Sequence, residues 1–311
     1  MWPVARHAAH RCPCCHQHRH QRGVALLMVI WMIVVMMSLA AALVYSVRTE
    51  TSMVSFARTS AQARAFADAA AHYTVMQLFL PPDERTLVVG GGAGSWEQGG
   101  YQAEIRVVGE NGLIDINRTS RELLQKVLEQ AGVVDQEAQT LLDRIEDFRD
   151  GDDLKRLNGA EDRDYQSEGL AFGAKDAPFE RIEELQQVLG MTPALYERLA
   201  RFLSVSSQGQ GINPMLAPRH ILLLLAEGDQ ALVDDYIRQR EVSEGAWVQP
   251  TFGATFMDHT QQPVYRVQIR VRSPGSELEY LEERSIRLLP GRNPPFLTYF
   301  RSRQPLDARF Q

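Results

Sequence analysis

The stretch Val24–Val47, VALLMVIWMIVVMMSLAAALVYSV, runs for 24 residues without a charge and is polar only at Ser38, Tyr45 and Ser46. At about 1.5 Å per residue it makes a helix of roughly 36 Å, enough to cross the ~30 Å hydrocarbon core of a bilayer. Before it stand Arg6, Arg11, Arg19 and Arg22 with no acidic residue among them, and after it Arg48 is soon followed by Glu50. The positive-inside rule therefore puts the N-terminus in the cytoplasm and the body of the chain across the membrane. A cleaved secretory signal is the competing reading, since Ala40-Ala41-Ala42 offers a small-residue site. The apolar run is, however, longer than the ~7–15 residues of such a signal.

Helical patterning does not stop at the membrane. From Arg48 to Leu80 there is neither Gly nor Pro, and Met53, Phe56, Ser60, Ala63, Phe66, Ala70, Tyr73, Met76 and Leu80 recur every three or four residues. This spacing marks one face of an amphipathic helix, which Pro81-Pro82 ends. The pattern fits one long helix, lipid-embedded at one end and packed on a domain at the other. A membrane anchor followed by a separate helix is the alternative.

With 311 residues, 44% hydrophobic and 23% charged, the chain can build a globular core, which excludes a collagen-like, wholly disordered or polytopic membrane protein. Its 33 basic and 39 acidic side chains give a net charge of -6, and without the four leader arginines the remainder is 29 against 39, or -10. Cys12, Cys14 and Cys15 are the only cysteines, so the body has no disulfide and no thiolate site. Together with His16, His18 and His20 they match no paired zinc template and read as part of a basic leader of little structure. His72, His220 and His259 are scattered along the body, and no nucleophile and base can be paired. The chain does not read as an enzyme.

After Gly90-Gly91-Gly92-Ala93-Gly94, which lacks the Lys-Ser/Thr of a phosphate loop, Tyr101–Val108 alternates as a strand. Glu110-Asn111-Gly112 is a turn signal, and Leu113–Ile116 reads as a returning hairpin strand. Val264–Val271 and Glu279–Leu288 form a second hairpin around Ser273-Pro274-Gly275-Ser276. Between them, from about Asn117 to Glu244, the pattern is almost wholly helical. Asp115-Ile116-Asn117 before Glu122-Leu123-Leu124 is echoed by Gly211-Ile212-Asn213 before Ile221-Leu222-Leu223, and each copy is followed by an amphipathic stretch, Ala138–Phe148 and Ala231–Arg240. The repeated asparagine reads as a helix cap.

Two motifs carry possible function. Phe179–Ser204 has two helical stretches around Leu189-Gly190-Met191-Thr192-Pro193 and looks like a helix-hairpin-helix, a unit that contacts DNA phosphates in many proteins. Residues 110–205, however, hold 12 basic and 21 acidic side chains, a local charge of -9 that opposes nucleic acid and favours a packing role. The second is the loop DFRDGDD, Asp147–Asp153, continued by NGAEDRDY, Asn158–Tyr165. So many neighbouring carboxylates repel unless solvated, paired with arginine or neutralised by a divalent cation. Calcium suits such an oxygen-rich irregular loop, although the spacing is not that of an EF-hand. A solvated acidic loop and a calcium site both fit the residues.

Arg22-Gly23 immediately before the apolar run resembles the signal of type IV pilins and type II secretion pseudopilins, cut after the glycine by prepilin peptidase. That cut would make Val24 the first mature residue. Most members carry Glu at the fifth mature position, where its carboxylate can pair with a neighbouring subunit's terminal amine; here that position is Met28. A subunit lacking the pairing has lost its link to a subunit ahead of it. RGVALL (22–27), GLIDINRTSRELL (112–124), the acidic loop, APFERIEELQQVLGMTPALYERLARFLSV (177–205) and INPMLAP (212–218) together resemble one family, the general secretion pathway protein K or minor pseudopilin K of type II secretion.

The resemblance implies an α+β fold in which a pilin-like long N-terminal helix packs on a small antiparallel sheet that carries a large all-α inserted domain. It divides the chain into a cleaved leader 1–23, a transmembrane half-helix 24–47, a first pilin-like part 48–116, the insert 117–245 and C-terminal strands 246–311. It implies calcium held by residues drawn from Asp147, Asp150, Asp152, Asp153, Glu161 and Asp164. It also implies a place at the tip of a periplasmic pseudopilus in the inner membrane, initiating its assembly with minor pseudopilins I and J as partners. The pseudopilus shaft, prepilin peptidase and exported proteins complete the expected contacts, with no nucleic acid among them. The family usually has Trp where Phe148 stands and often Asn where Asp176 stands. A membrane-anchored helix-hairpin-helix binding protein, of the DNA-uptake kind, is the rival reading.

Overall fold

The computed structural model describes residues 24–303 apart from 91, 244, 260–261 and 276–278. The leader with its cysteines, and Gly23, lie outside the described residues. The chain divides into two units, Met1–Arg58 and Thr59–Gln311. Helix α1 spans Val24–Phe79 and stops just short of Pro81-Pro82, as its sequence requires. From Val24 to Arg58 its side chains are exposed except for half-buried Val35. This stretch is long and apolar enough to cross a membrane.

In the second unit α1 buries Ala63, Ala67, Ala70, Ala71, Thr74, Val75, Gln77 and Leu78. This face is rotated from the expected one: Met76 is largely exposed, and Phe66 and Tyr73 lie at the border, where they stack with Trp96. The five-stranded antiparallel sheet has the order β1-β2-β5-β6-β7, with β1 at Gly94–Gln98, β2 at Tyr101–Gly109, β5 at Val264–Arg272, β6 at Glu279–Leu288 and β7 at Phe296–Arg303. Alternation aims Ala103, Ile105 and Val107 of β2 and Val267, Ile269 and Val271 of β5 at the helix, where they form one core with its alanines. On the same face Glu282 of β6 is fully buried and receives hydrogen bonds from Tyr280 Oη (2.7 Å), Arg301 Nη2 (2.7 Å) and Arg284. Arg284 and Arg301 both pair with Asp68 of α1, so an ion cluster ties helix to sheet.

The chain leaves the sheet after β2 and returns to it beside β2, at β5, which makes the intervening segment an insertion. Its helices are α2 (Arg121–Gln130), α3 (Asp135–Arg149), α4 (Asp162–Ser167), α5 (Pro193–Ala200), α6 (Arg219–Leu225) and α7 (Gln230–Val242). They surround a second core drawing on residues from Leu113 to Phe252, slightly wider than the expected 117–245.

The expected hairpin partner of β2 is absent. β3 (Ile114–Asp115) pairs in parallel with β4 (Leu203–Ser204) in a separate two-stranded sheet. The reason lies in Glu110–Gly112, a 3-10 turn rather than a hairpin turn. Within it Asn111 is buried, donating to Ser207 O (2.7 Å) and accepting from Gln262 N (2.9 Å) through its side chain, so long-range bonds outweigh the local turn preference. Neither repeated asparagine caps a helix. Ser120 caps α2 by accepting from Leu123 N, and Asn213 closes a turn to Met215 N ahead of α6.

Candidate functional site

Asn117 has another role, which fixes the floor of the acidic site. Its amide accepts from Phe179 N (2.8 Å) and donates to Phe179 O (2.9 Å), clamping segments 62 residues apart in sequence. Phe179 stacks on Phe148 (5.2 Å between centroids), and Phe148 contacts Tyr165 at 6.4 Å. The aromatic cluster therefore anchors the C-terminal turn of α3, from which Asp147 and Asp150 issue. Asn117→Ala should lower folding stability by about 1–3 kcal/mol, because the Phe179 backbone loses both bonds at a partly buried site. A urea titration measures this.

Asp147 is fully buried and accepts from the backbone N (3.2 Å to Oδ2) and Nη1 (2.6 Å to Oδ1) of Arg156. The same Nη1 lies 2.5 Å from Asp150 Oδ2, and Arg156 Nε lies 3.0 Å from Glu146 Oε2. Burial works against the charged guanidinium, but these carboxylates outweigh it and hold Arg156 firmly protonated. Asp150 Oδ1 and Glu161 Oε1 are buried without a hydrogen-bond partner. Burial, then Asp147, Asp176, Asp150 and Asp153 in turn, push the Glu161 carboxyl up to about 7.

The other expected residues are differently engaged. Asp152 accepts from Leu154 N (2.9 Å) in a local turn, and Asp153 is exposed. Asp164 pairs with Lys155 Nζ (2.5 Å), which holds its carboxyl low, and accepts from Glu161 N (3.0 Å) at the start of α4. Arg156 thus joins Asp147 and Asp150, and Glu161 lies within electrostatic reach of both and of Asp153. Among the described residues no three acidic, histidine or cysteine side chains converge as a ready metal cluster. Asp176 was not expected in the site. Its backbone is left-handed (φ 53°), a conformation suited to Asn or Asp, and its carboxyl is pushed up by burial and by Asp162, Asp153 and Asp150.

Do these residues fit a divalent cation? Gly159 and Gly173 form close cradles for carboxylates: a Cβ on Gly159 would meet Asp147 Oδ2 at 1.7 Å, and one on Gly173 would meet Asp162 Oδ1 at 1.7 Å. Two carboxylate oxygens have no partner, and the donors are all oxygens in an irregular loop, the chemistry calcium takes. The set fits such an ion by donor type and by its unbalanced charge.

The Phe179–Ser204 segment is only partly the expected pair of helices. Ile182–Gln187 is 3-10, α5 follows, and Leu185, Val188, Leu195 and Leu199 are buried. At the hairpin, Leu189 N donates to Tyr165 Oη (3.2 Å) and Leu189 O accepts from Arg144 Nη1 (3.0 Å). These backbone groups are spent inside the insert, in keeping with a packing unit.

A pilin-like α+β scaffold with a mainly α-helical insertion after its second strand defines the class. The same fold occurs in a chain of the GspK-GspI-GspJ complex of the enterotoxigenic Escherichia coli type 2 secretion system, with a TM-score of 0.59 at 16% identity over 78% of this chain and 96% of that one. Residues 106–208 match the family model of type II secretion system protein K. Type II secretion system protein K of Klebsiella pneumoniae is 26% identical, the match covering 60% of this chain and 63% of that protein's length.

Proposed function

We propose that the chain is a minor pseudopilin of a type II secretion system. It sits at the tip of the periplasmic pseudopilus with minor pseudopilins I and J and helps initiate its assembly. The observation that carries this reading is the match of residues 106–208 to the protein K family model, within a pilin-like scaffold whose first helix is long and apolar enough to cross a membrane. Val24–Val47 would anchor it in the inner membrane with the body in the periplasm, after prepilin peptidase has cut between Gly23 and Val24 and the new terminus has been methylated. Its contribution is assembly rather than a reaction, with the shaft below it and exported proteins as further contacts.

Calcium at the acidic loop belongs to the same reading. Asp147, Asp150 and Glu161 would hold it, with Asp152, Asp153 and Asp164 as the rest of the candidate set. Its charge would offset the repulsion that the loop now carries.

The test is the intact mass and N-terminal sequence of the membrane-extracted protein, with and without prepilin peptidase, together with co-purification of pseudopilins I and J. A peptidase-dependent start at Val24 and recovery of both partners support the reading. A start near Leu43 independent of the peptidase, or an intact Met1, overturns it. Met28→Glu should release the chain from the tip and distribute it along the shaft, as seen by labelling purified filaments. Retention at the tip would instead assign tip placement to the bulk of the insert.

A further inference from the structure

Arg156 stands among the carboxylates that a cation would have to bridge. We propose that Arg156 is an internal competitor for the metal: it bridges Asp147 and Asp150 in the metal-free protein and must release both when calcium enters. This rests on the reading of the loop as a calcium site. A single nitrogen, Nη1, lies 2.6 Å from Asp147 Oδ1 and 2.5 Å from Asp150 Oδ2, so it occupies the bridging position itself. The guanidinium is singly charged and directional, and it leaves Asp150 Oδ1 and Glu161 Oε1 without partners. A divalent ion accepting six to eight oxygens meets that surplus better.

The geometry also supplies an exit. The Arg156 side chain is 37% exposed, whereas that of Asp147 is fully buried, so the arginine can move toward solvent while the carboxylate stays. Its Nε lies 3.0 Å from Glu146 Oε2, a carboxylate outside the candidate ligand set, and Glu146 is already held by Arg121 at 2.6 Å. Glu146 can therefore keep the displaced guanidinium as a partner. The bond from Arg156 N to Asp147 is made by the backbone and does not depend on where the side chain goes. Lys155 does not share this role, because it pairs with Asp164, whose other oxygen already accepts a backbone bond.

The chain thus has a loop whose repulsion is eased with or without metal, at the cost of affinity. Calorimetric titration of the detergent-solubilised full chain with calcium chloride, after dialysis against EDTA, tests this. Arg156→Gln should bind calcium at least about tenfold more tightly than the wild type, since a like charge close to the ion is removed. It should also melt at a lower temperature in EDTA, because Asp147 and Asp150 lose their counter-ion. Arg156→Lys should stay near the wild-type affinity, and Lys155→Gln should change it by no more than about twofold, as expected of an exposed pair. Binding by Arg156→Gln alone, with a silent wild type, is the strongest supporting result. Equal or weaker binding by Arg156→Gln overturns the competitor role while the calcium reading stands. Absence of binding in both proteins overturns the calcium reading and the competitor with it.

Discussion

Glu110→Ala is expected to lower folding stability by about 3–5 kcal/mol, the range found when one member of a buried ion pair is removed. Glu110 is 1% exposed and Arg266 8%. Its carboxylate accepts from Arg266 Nε (3.3 Å) and Nη2 (3.2 Å), from Ser204 Oγ (2.5 Å) and from Ser285 Oγ (3.4 Å). Glu110 follows the last residue of β2, Ser204 belongs to β4 of the insert and Ser285 to β6. One side chain thus joins the sheet to the inserted domain. Without it Arg266 keeps Leu203 O (3.1 Å) and, more distantly, Glu283 (4.0 Å), too little for a guanidinium removed from water. The double variant Glu110→Met with Arg266→Met should recover part of the loss, since the guanidinium is then no longer buried without its main partner, while Glu283 keeps its bond from Gln268 Nε2 (2.8 Å). Denaturant midpoints of the three proteins measure both effects. A Glu110→Ala loss below about 1 kcal/mol would mean that water reaches the pair.

The second large effect is expected at Gly112, where a methyl group has nowhere to go. A Cβ there would lie 2.3 Å from Leu216 O, 2.4 Å from Leu216 C and 2.7 Å from Ala217 N. All three are backbone atoms, so no rotamer relieves the clash and the two segments must separate. Separation breaks the bond from Asn213 N to Asn111 O (2.7 Å) and disturbs the Asn111 tether to Ser207. Gly112→Ala should therefore cost about 3 kcal/mol, at the upper end of overpacking effects. For a chain of this size that lowers the melting temperature by roughly 6–12 °C. Gly92→Ala, with nothing within 4 Å of its added carbon, should change stability by less than about 0.5 kcal/mol. Equal melting of both variants would show that residues 110–113 and 212–218 do not need their close approach.

Local pattern carried what local physics decides. The uncharged run and the absence of Gly and Pro up to Leu80 made α1 legible, and alternation made β2, β5 and β6 legible. The edge strands were hidden: Gly94–Gln98 opens on glycine and is short, while Phe296–Arg303 follows a proline-rich turn. The pairing of Ile114–Asp115 with Leu203–Ser204 depends on chain segments about ninety residues apart, which no window of periodicity contains. Asn111-Gly112 carries a strong hairpin signal, and only the approach of Leu216 shows why it is used otherwise. In the acidic site, the clustering of carboxylates along the chain was plain. Which of them meet was not, because Arg156 and Lys155, themselves part of the loop, divide the acids between them. Asp176 joins from a separate segment, which the acidic run itself does not signal.

The face that α1 turns to the sheet is lined by Ala63, Ala67, Ala70 and Ala71. Such a surface is nearly smooth, so a small slide or roll of the helix on the sheet meets little steric resistance. Charge has to supply the index mark. Asp68, held by Arg284 of β6 and Arg301 of β7 around the buried Glu282, is satisfied at one setting only. The bearing of the sheet about the axis of this helical segment is thus set by an electrostatic pin, seconded at the border by the stacking of Phe66 and Tyr73 on Trp96.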